Sequence, residues 1–394
     1  MDPFGNPFGG GNPFQGMPIF GDLANMFQQQ ASMGFSAARQ LALSIASGGT
    51  AEPNVDPVDR IKIEQLARVA ELQIANATGL DPAPSGQGVT MLPVNRTTWA
   101  QHTLDAYRPL FEALAASLKE DPTAAEAPDP NDPMGFMAPL LKMIGPMMLE
   151  LTAGSMVGHL SQRCFGQYDL PIPRPQSDQL LIIVPNVDDF GRVWSLPADD
   201  LRLWVCLHEV AHHAVLGVPH VRARLERLLR EYLDGFEPDP DRLEQELGSF
   251  ENLDLSGPDA FQQMLGNPEV VLGAVQSPAQ RALLPHLEAL VCTIVGYVDH
   301  VMDKTGSGLI GGYAMITEAV RRRRVEAAAA DRFVEQLFGL ELTQAAYDRG
   351  RAFIDGVVER ADADALARLW QEERFLPTPA EVDAPGLWLA RIDL

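Results

Sequence analysis

Apolar side chains recur every three or four positions over most of the 394-residue chain, which is the spacing of helices with one buried face. The segment 59–77 shows it well, with apolar residues at Ile61, Ile63, Leu66, Val69, Ala70, Leu72 and Ile74. The same spacing predicts further helices at 23–47, 96–118, 196–216, 221–234, 239–247, 277–305, 311–324, 327–339, 343–360 and 362–371. Strand-like patterning is confined to 169–187, where a Pro-studded stretch precedes the apolar run QLLIIVPNV. The pattern therefore predicts a mainly α fold with a small β element.

Two segments lack this periodicity and indicate how the chain is divided. Residues 1–20 repeat a short Pro-Phe unit among Gly and Asn, a composition that cannot bury enough apolar surface to fold. Residues 119–135, KEDPTAAEAPDPNDPMG, are typical of a loop or linker. We therefore predict a disordered tail at 1–20, a helical region at 21–125 and a larger domain at 126–394. The last two either stand apart or form one globular unit.

Composition argues against several classes of partner and location. A net charge of −23 opposes binding to nucleic acid or to an anionic membrane, and the arginine run at 321–324 is interpreted as the cation-rich end of a helix. The most apolar segment, 134–160, is interrupted by three polar side chains and by Pro146, so we expect a buried or partly exposed helical pair and no stable membrane span. The N-terminus resembles no secretory signal and the three cysteines are scattered, which favours the cytoplasm. The oligomeric state is not indicated.

The stretch CLHEVAHHAV at 206–215 carries the clearest chemistry. His208 and His212 are four residues apart, so on the predicted helix they share one face with Cβ atoms about 5–6 Å apart, and both imidazoles can reach one Zn²⁺. Glu209 lies about 100° round the helix, beside such a metal, where it can act as the general base. His213 points away from His212, so we expect it to pack, to hydrogen-bond from outside the coordination shell or to contact substrate.

A catalytic zinc usually takes a third protein ligand, which has to come from another element. The apolar helix PHLEALVCTIVGYVDHVMDKTG at 285–306 carries polar groups in a core-type setting, and we predict Asp299 as the ligand. His300 and Glu288 on the same helix are the alternates. The competing interpretation is that Asp299 or Glu288 orients a zinc ligand from outside the coordination shell or pairs with an arginine.

These segments resemble a family of bacterial zincin-like proteins described as hydrolases or zinc-dependent metalloproteases, found chiefly in high-GC Gram-positive bacteria. The resemblance covers most of the chain after its tail and is carried by LPADDLRLWVCLHEVAHHAVL at 196–216, LEALVCTIVGYVDHVMDKTG at 287–306, EAVRRRRVEAAAADRFVEQLFGLEL at 318–342 and LPTPAEVDAPGLWLARI at 376–392. It implies a zincin-like metallopeptidase fold with an HExxH helix, His208 and His212 as zinc ligands and Glu209 as catalytic base. Many relatives have glutamate where this chain has Val295. Some relatives are labelled as associated with biosynthesis of a deazaflavin cofactor.

The expected function is that of a zinc-dependent metallopeptidase, or of a related hydrolase that cleaves an amide bond in a peptide or a small amide. Two alternatives stay open. A zincin-fold binding or scaffold protein would have a closed site, in which the metal is structural or absent. A metal-dependent hydrolase of a small metabolite would have a narrow pocket in place of an open cleft.

Overall fold

A computed structural model of the chain describes residues 35–83, 86, 88–117, 137–238, 274–325, 334–340 and 342–393. The predicted tail at 1–20, the predicted linker at 119–135, the helix expected at 239–247 and most of the one expected at 327–339 lie outside these residues. The divisions predicted at 20 and 125 therefore stay predictions.

Within the described residues the fold is mainly helical, as the sequence pattern predicts. In chain order the elements are α1 Phe35–Ser47, α2 Pro57–Thr78, β1 Thr90–Val94, α3 Arg96–Ser117, α4 Met137–Ser161, β2 Gln179–Ile183, α5 Val184–Val193, α6 Ala198–Gly217, α7 Pro219–Asp234, β3 Phe236–Pro238, β4 Ala274–Gln276, α8 Pro278–Leu309, α9 Tyr313–Val325, α10 Gln344–Arg360, two 3₁₀ helices at Asp364–Trp370 and Glu373–Phe375, α11 Pro379–Asp383 and α12 Pro385–Ile392.

The strands form two small sheets. β1 and β2 pair in parallel, with Thr90 opposite Gln179 and Val94 opposite Ile183, while β3 and β4 pair antiparallel. The expectation that strands are confined to 169–187 was wrong, because β1 is too short, and too close to a helix, to show a period of its own. The apolar run also ends sooner than predicted, since Pro185 in the first turn favours the start of α5.

Local sequence explains where several helices begin and end. Asp56 caps α2 by accepting a hydrogen bond from the backbone N–H of Val58 at 2.7 Å, and Gly79 ends that helix in the left-handed conformation. Ser277 and Gln280 form a reciprocal capping box at the start of α8. The segment expected to form a helical pair at 134–160 is instead the single helix α4.

α6 lies in the middle of the fold, packed against α2, α5, α7, α8, α9 and β2. Fifteen of its twenty residues are buried, including every residue from Trp204 to Leu216. α8 runs beside it and also contacts α2, α7, α9 and α10. By length and composition α8 is apolar enough to cross a membrane, and these neighbours in the interior account for that composition. The polar residues of the HExxH motif are consequently held in the core.

Candidate metal centre

His208 and His212 face each other one turn apart on α6, with ring centroids separated by 4.4 Å. Nδ1 of His212 lies 3.1 Å from the carbonyl oxygen of His208. Because a carbonyl only accepts, Nδ1 carries the proton and Nε2 keeps its lone pair for a metal. Trp204 stacks on His208 at 5.1 Å, and Tyr168 stacks on His212 at 6.1 Å. The two imidazoles are thus held between aromatic rings.

Burial also keeps this pair uncharged. Desolvation, followed by the nearby Arg324 guanidinium, lowers the pKa of His208 to about 4. Desolvation, followed by the charge on His208, lowers the pKa of His212 well below its usual range. Neutral imidazole is the form that binds a metal, so both side chains are prepared as ligands at neutral pH.

Glu209 is completely buried beside the pair. Its Oε2 accepts hydrogen bonds from the backbone N–H groups of Gln167 at 2.9 Å and Tyr168 at 3.1 Å. Its Oε1 lies 3.5 Å from Nδ1 of His208 and has no hydrogen-bond partner in the described part of the chain. Desolvation and then the charge of Asp169 raise the pKa of Glu209 to about 8. One oxygen is therefore anchored, and the other is left to exchange a proton near neutral pH.

The segment that anchors Glu209 is 164–170, which we call the strap. Asp169 holds it in a tight turn, because its Oδ2 accepts from the backbone N–H groups of Phe165 at 2.7 Å and Gly166 at 3.0 Å. Oδ1 of Asp169 pairs with the Arg323 guanidinium at 3.2 Å, and that guanidinium lies 3.8 Å from the centroid of the Phe165 ring. The strap is not predictable from the sequence, because its contact with Glu209 is made by backbone amides, which do not depend on residue type. Gly166 is the one residue that hints at it.

Replacing Asp169 by asparagine is expected to loosen the strap. The amide preserves the size of the side chain but loses the charge-assisted contact with Arg323, so we expect the free energy of unfolding to fall by about 1–3 kcal/mol. Urea unfolding measures this, and hydrogen exchange at the Gln167 and Tyr168 amides should accelerate. Asp355→Asn is the control, because its pair with Arg351 is exposed and long at 3.7 Å, and it should change stability by less than about 0.5 kcal/mol. Equal behaviour of the two variants would contradict this role for the strap.

His213 belongs to a separate contact. Its Nδ1 lies 2.9 Å from the hydroxyl of Tyr168, and its Nε2 is buried without a hydrogen-bond partner among the described residues. Desolvation lowers the pKa of His213 to about 4. His213 thus contacts the strap that holds Glu209, and its expected role toward a metal or a substrate stays a prediction.

The three candidates for the third ligand lie in different surroundings. Both carboxylate oxygens of Asp299 pair with Arg324, at 3.2 and 3.3 Å, and the charges of both residues influence the pKa values of the histidine pair. Glu288 pairs with Arg349 at 3.6 Å. Desolvation lowers the pKa of His300, and the charged groups that act on that pKa are Asp355, Lys304, Asp303 and Arg351. Of the three, Asp299 is the one whose charge acts on the pKa values of both histidines, and its oxygens are occupied by an arginine.

A zinc ion fits this centre only in part. Two neutral imidazoles and a buried carboxylate with one unpaired oxygen are the groups that a zinc hydrolase places around its metal. Across the described ranges, however, no group of three or more His, Cys, Asp and Glu side chains converges closely enough to hold a metal ion. The structure thus brings His208, Glu209 and His212 together, and among the described residues it brings no third protein donor to them. The assigned roles stay predictions.

The arginine run lies at the end of α9 and forms ion pairs. Arg322 pairs with Glu318 at 2.8 Å, Arg323 with Asp169 and Arg324 with Asp299. The charges of the last two pairs act on the pKa of His208, so the end of α9 contributes to the electrostatics of the centre.

Comparisons with known proteins agree with this fold. Residues 33–389 match the family described as zincin-like metallopeptidase. A crystal structure from Chloroflexus aurantiacus, described as that of a "putative hydrolase with a novel fold", is similar with a TM-score of 0.62 and 24% identity, over 91% of this chain and 98% of that one. A search of curated proteins finds no match. The structural likeness supports the fold, and the match along most of the chain establishes that it belongs to the zincin-like metallopeptidase family.

Proposed function

We propose that the protein is a zinc-dependent hydrolase that cleaves an amide bond in a peptide, with His208 and His212 as zinc ligands. The observation that carries the proposal is the neutral histidine pair, 4.4 Å between ring centroids, beside a buried Glu209 with one unpaired oxygen. When bound, zinc would acidify a water molecule and polarise the scissile carbonyl. We further propose Asp299 as third ligand and the cytoplasm as location.

In this proposal the protein's own groups divide the work. Glu209 accepts a proton at Oε1 and returns it to the leaving amine, while Oε2 stays bound to the strap, which fixes the direction of the carboxylate. Because Glu209 is fully buried, the groups that cover Oε1 have to move before a substrate can reach it, while the strap keeps its hydrogen bonds to Oε2. Asp299 likewise has to leave Arg324 before it can serve as a ligand.

Those two features favour a second candidate, a zincin-fold protein that binds a partner without catalysis. A fully covered Glu209 and an ion-paired Asp299 describe a closed site, as expected where histidines and carboxylate serve the fold alone. The two candidates differ in one respect that is simple to measure, which is whether the native chain retains zinc at the histidine pair.

The test is zinc content per chain, measured by plasma mass spectrometry, with hydrolysis of a mixed peptide library measured in parallel. We expect about one zinc in the native chain. His208→Ala should lose that zinc, because the variant keeps only one of the two histidine ligands. Glu209→Gln should keep both zinc and fold, since the amide oxygen can accept the same two N–H bonds, while hydrolysis falls by about 100-fold or more. Loss of zinc in Asp299→Ala would identify the third ligand.

The outcome that contradicts the proposal is equally clear. The hydrolase proposal is contradicted if the native chain binds no zinc when zinc is offered and His208→Ala folds as the native chain does. The non-catalytic candidate then remains. Hydrolysis retained in Glu209→Gln would remove Glu209 as the base even where zinc is bound.

A further inference from the structure

A small cavity with both polar and apolar walls lies next to His208, among α6, α8, α9 and α10. Trp204 is shared between the two, because it stacks on His208 and also lines the cavity. The cavity measures about 70 Å³, which is room for a few water molecules or for one small polar group of a ligand, and far less than a drug-sized molecule fills. We call it the side pocket.

Three side chains of the side pocket, those of Trp204, Thr317 and Gln344, have a buried polar atom that lacks a hydrogen-bond partner among the described residues. The Thr317 hydroxyl can either donate or accept. Trp204 is only 4% exposed, and its indole Nε1 has no hydrogen-bond partner in the described part of the chain. Oε1 of Gln344 is in the same condition, although Nε2 of that side chain donates to Asp348 at 2.8 Å. Such atoms are rare in folded proteins because each forfeits the hydration it had in the unfolded chain. The unpaired indole N–H of Trp204 therefore points to a ligand that supplies an acceptor.

The charges of the side pocket decide which chemical group that ligand presents. Its acidic side chains already have donors: Asp299 pairs with Arg324, Asp303 accepts from the Tyr313 hydroxyl at 2.7 Å, and Asp348 accepts from Gln344.

The donors of the side pocket are less well satisfied. Arg321 is largely exposed, and its distance of 4.0 Å to Glu318 is at the limit of an ion pair. Arg324 has its guanidinium 4.0 Å from the centroid of the Tyr347 ring and contacts Asp299 at distances longer than a strong charge-assisted bond. Three donors, the Trp204 indole N–H and the Arg321 and Arg324 guanidinium groups, therefore stand against the unpaired carbonyl acceptor Oε1 of Gln344, and this excess of donors suits an anion.

We propose that the side pocket binds a carboxylate group of the substrate, held by Arg321 and Arg324 with the Trp204 N–H. The inference rests on the proposed hydrolase function and narrows its substrate class. Guanidinium groups bind carboxylates in a fork geometry that an ammonium group does not offer. The carboxylate has two sources in a peptide: the free C-terminus, which would make the enzyme an exopeptidase, or an acidic side chain, which would make it specific for that residue.

The test uses the indole N–H signals of the full chain labelled with nitrogen-15 tryptophan, of which there are five, with Trp204 assigned from Trp204→Phe. The probes are acetyl-Ala-Ala-Ala with a free carboxyl terminus, the same peptide as its amide, and acetyl-Ala-Glu-Ala amide. We expect the Trp204 signal to shift with one or both of the carboxylate-bearing peptides and to stay in place with acetyl-Ala-Ala-Ala amide. The peptide that acts identifies the source of the carboxylate.

Neighbouring arginines provide matched variants. Arg321→Gln should weaken binding of the active peptide by about 10-fold, as loss of a charged contact does. Arg322→Gln should leave binding unchanged, because Arg322 pairs with Glu318 and does not line the side pocket. Both side chains are more than half exposed, so neither variant should disturb folding.

The inference is overturned if the Trp204 signal ignores both carboxylate-bearing peptides, if the amide shifts it equally, or if Arg321→Gln binds as the native chain does. Titrations run after chelation and again after zinc loading separate this result from the proposed function. If a carboxylate-bearing peptide binds to a chain that has no affinity for zinc, the side-pocket inference stands and the hydrolase proposal fails. If the zinc-loaded chain is active but the Trp204 signal does not respond to either peptide, the hydrolase proposal stands and the side-pocket inference fails.

Discussion

Replacing Gly166 by alanine is expected to lower the free energy of unfolding by about 3 kcal/mol and hydrolysis by at least about 100-fold. The added Cβ would lie 2.3 Å from Cδ of Glu209 and 2.6 Å from both of its carboxylate oxygens. The strap cannot back away easily, because the Trp99 indole donates to the carbonyl oxygen of Gly166 at 2.8 Å and Asp169 accepts from its N–H at 3.0 Å. Glu209 must therefore give up its two strap hydrogen bonds. Urea unfolding and peptide hydrolysis measure the two losses.

A double-mutant cycle with Glu209→Ala tests the steric cause. If the methyl group acts by striking the Glu209 carboxylate, Gly166→Ala should cost little once that carboxylate is gone, and the two changes should be far from additive. Additive losses would show that Gly166 is needed for the strap itself, independently of Glu209.

Gly350→Ala is the second change with a large expected effect, a loss of about 3 kcal/mol or more in the free energy of unfolding. Gly350 on α10 faces Gly296 on α8 where the two helix backbones meet, and an added Cβ would lie 2.0 Å from the carbonyl oxygen of Cys292. Backbone atoms cannot rotate away as a side chain can, so the helices would have to separate. The loss is large against a total stability of about 5–15 kcal/mol. Thermal and urea unfolding measure it.

Gly308→Ala is the matched control, because Gly308 lies near the exposed end of α8 with no atom within 4 Å of the added Cβ. Alanine favours a helix over glycine, so this variant should gain up to about 1 kcal/mol. Helix propensity favours alanine at both positions, and only the backbone clash at Gly350 reverses the sign there. If Gly350→Ala leaves the free energy of unfolding unchanged or raises it, the backbones of α8 and α10 are not in close contact at this position.

The two glycine predictions bear on different parts of the proposed function. Gly350 holds α8, and with it Asp299, in place against α10, while Gly166 lets the strap approach Glu209 closely enough to bind it. Loss of activity in Gly350→Ala should therefore follow the loss of folded protein, whereas loss in Gly166→Ala should exceed it. Specific activity per folded chain separates the two effects.

The sequence by itself determined the features that depend on neighbours a few residues apart. Helical periodicity located most of the helices, and the spacing of His208 and His212 determined that they would meet, since residues four apart share a face of any helix. The resemblance to zincin-like proteins was also present in the motifs, and the family is confirmed.

Tertiary structure alone decided what surrounds those residues. The strap reaches Glu209 through backbone amides that lie 42 and 41 positions away, and an amide is the same in every non-proline residue, so no pattern announces it. Residue spacing also does not predict which arginine pairs with Asp299, because Arg324 is 25 positions away and the chain has many other cations. Local chemistry depends on residue type and period, whereas burial, ion-pair choice and access depend on which distant segments the packed core brings together.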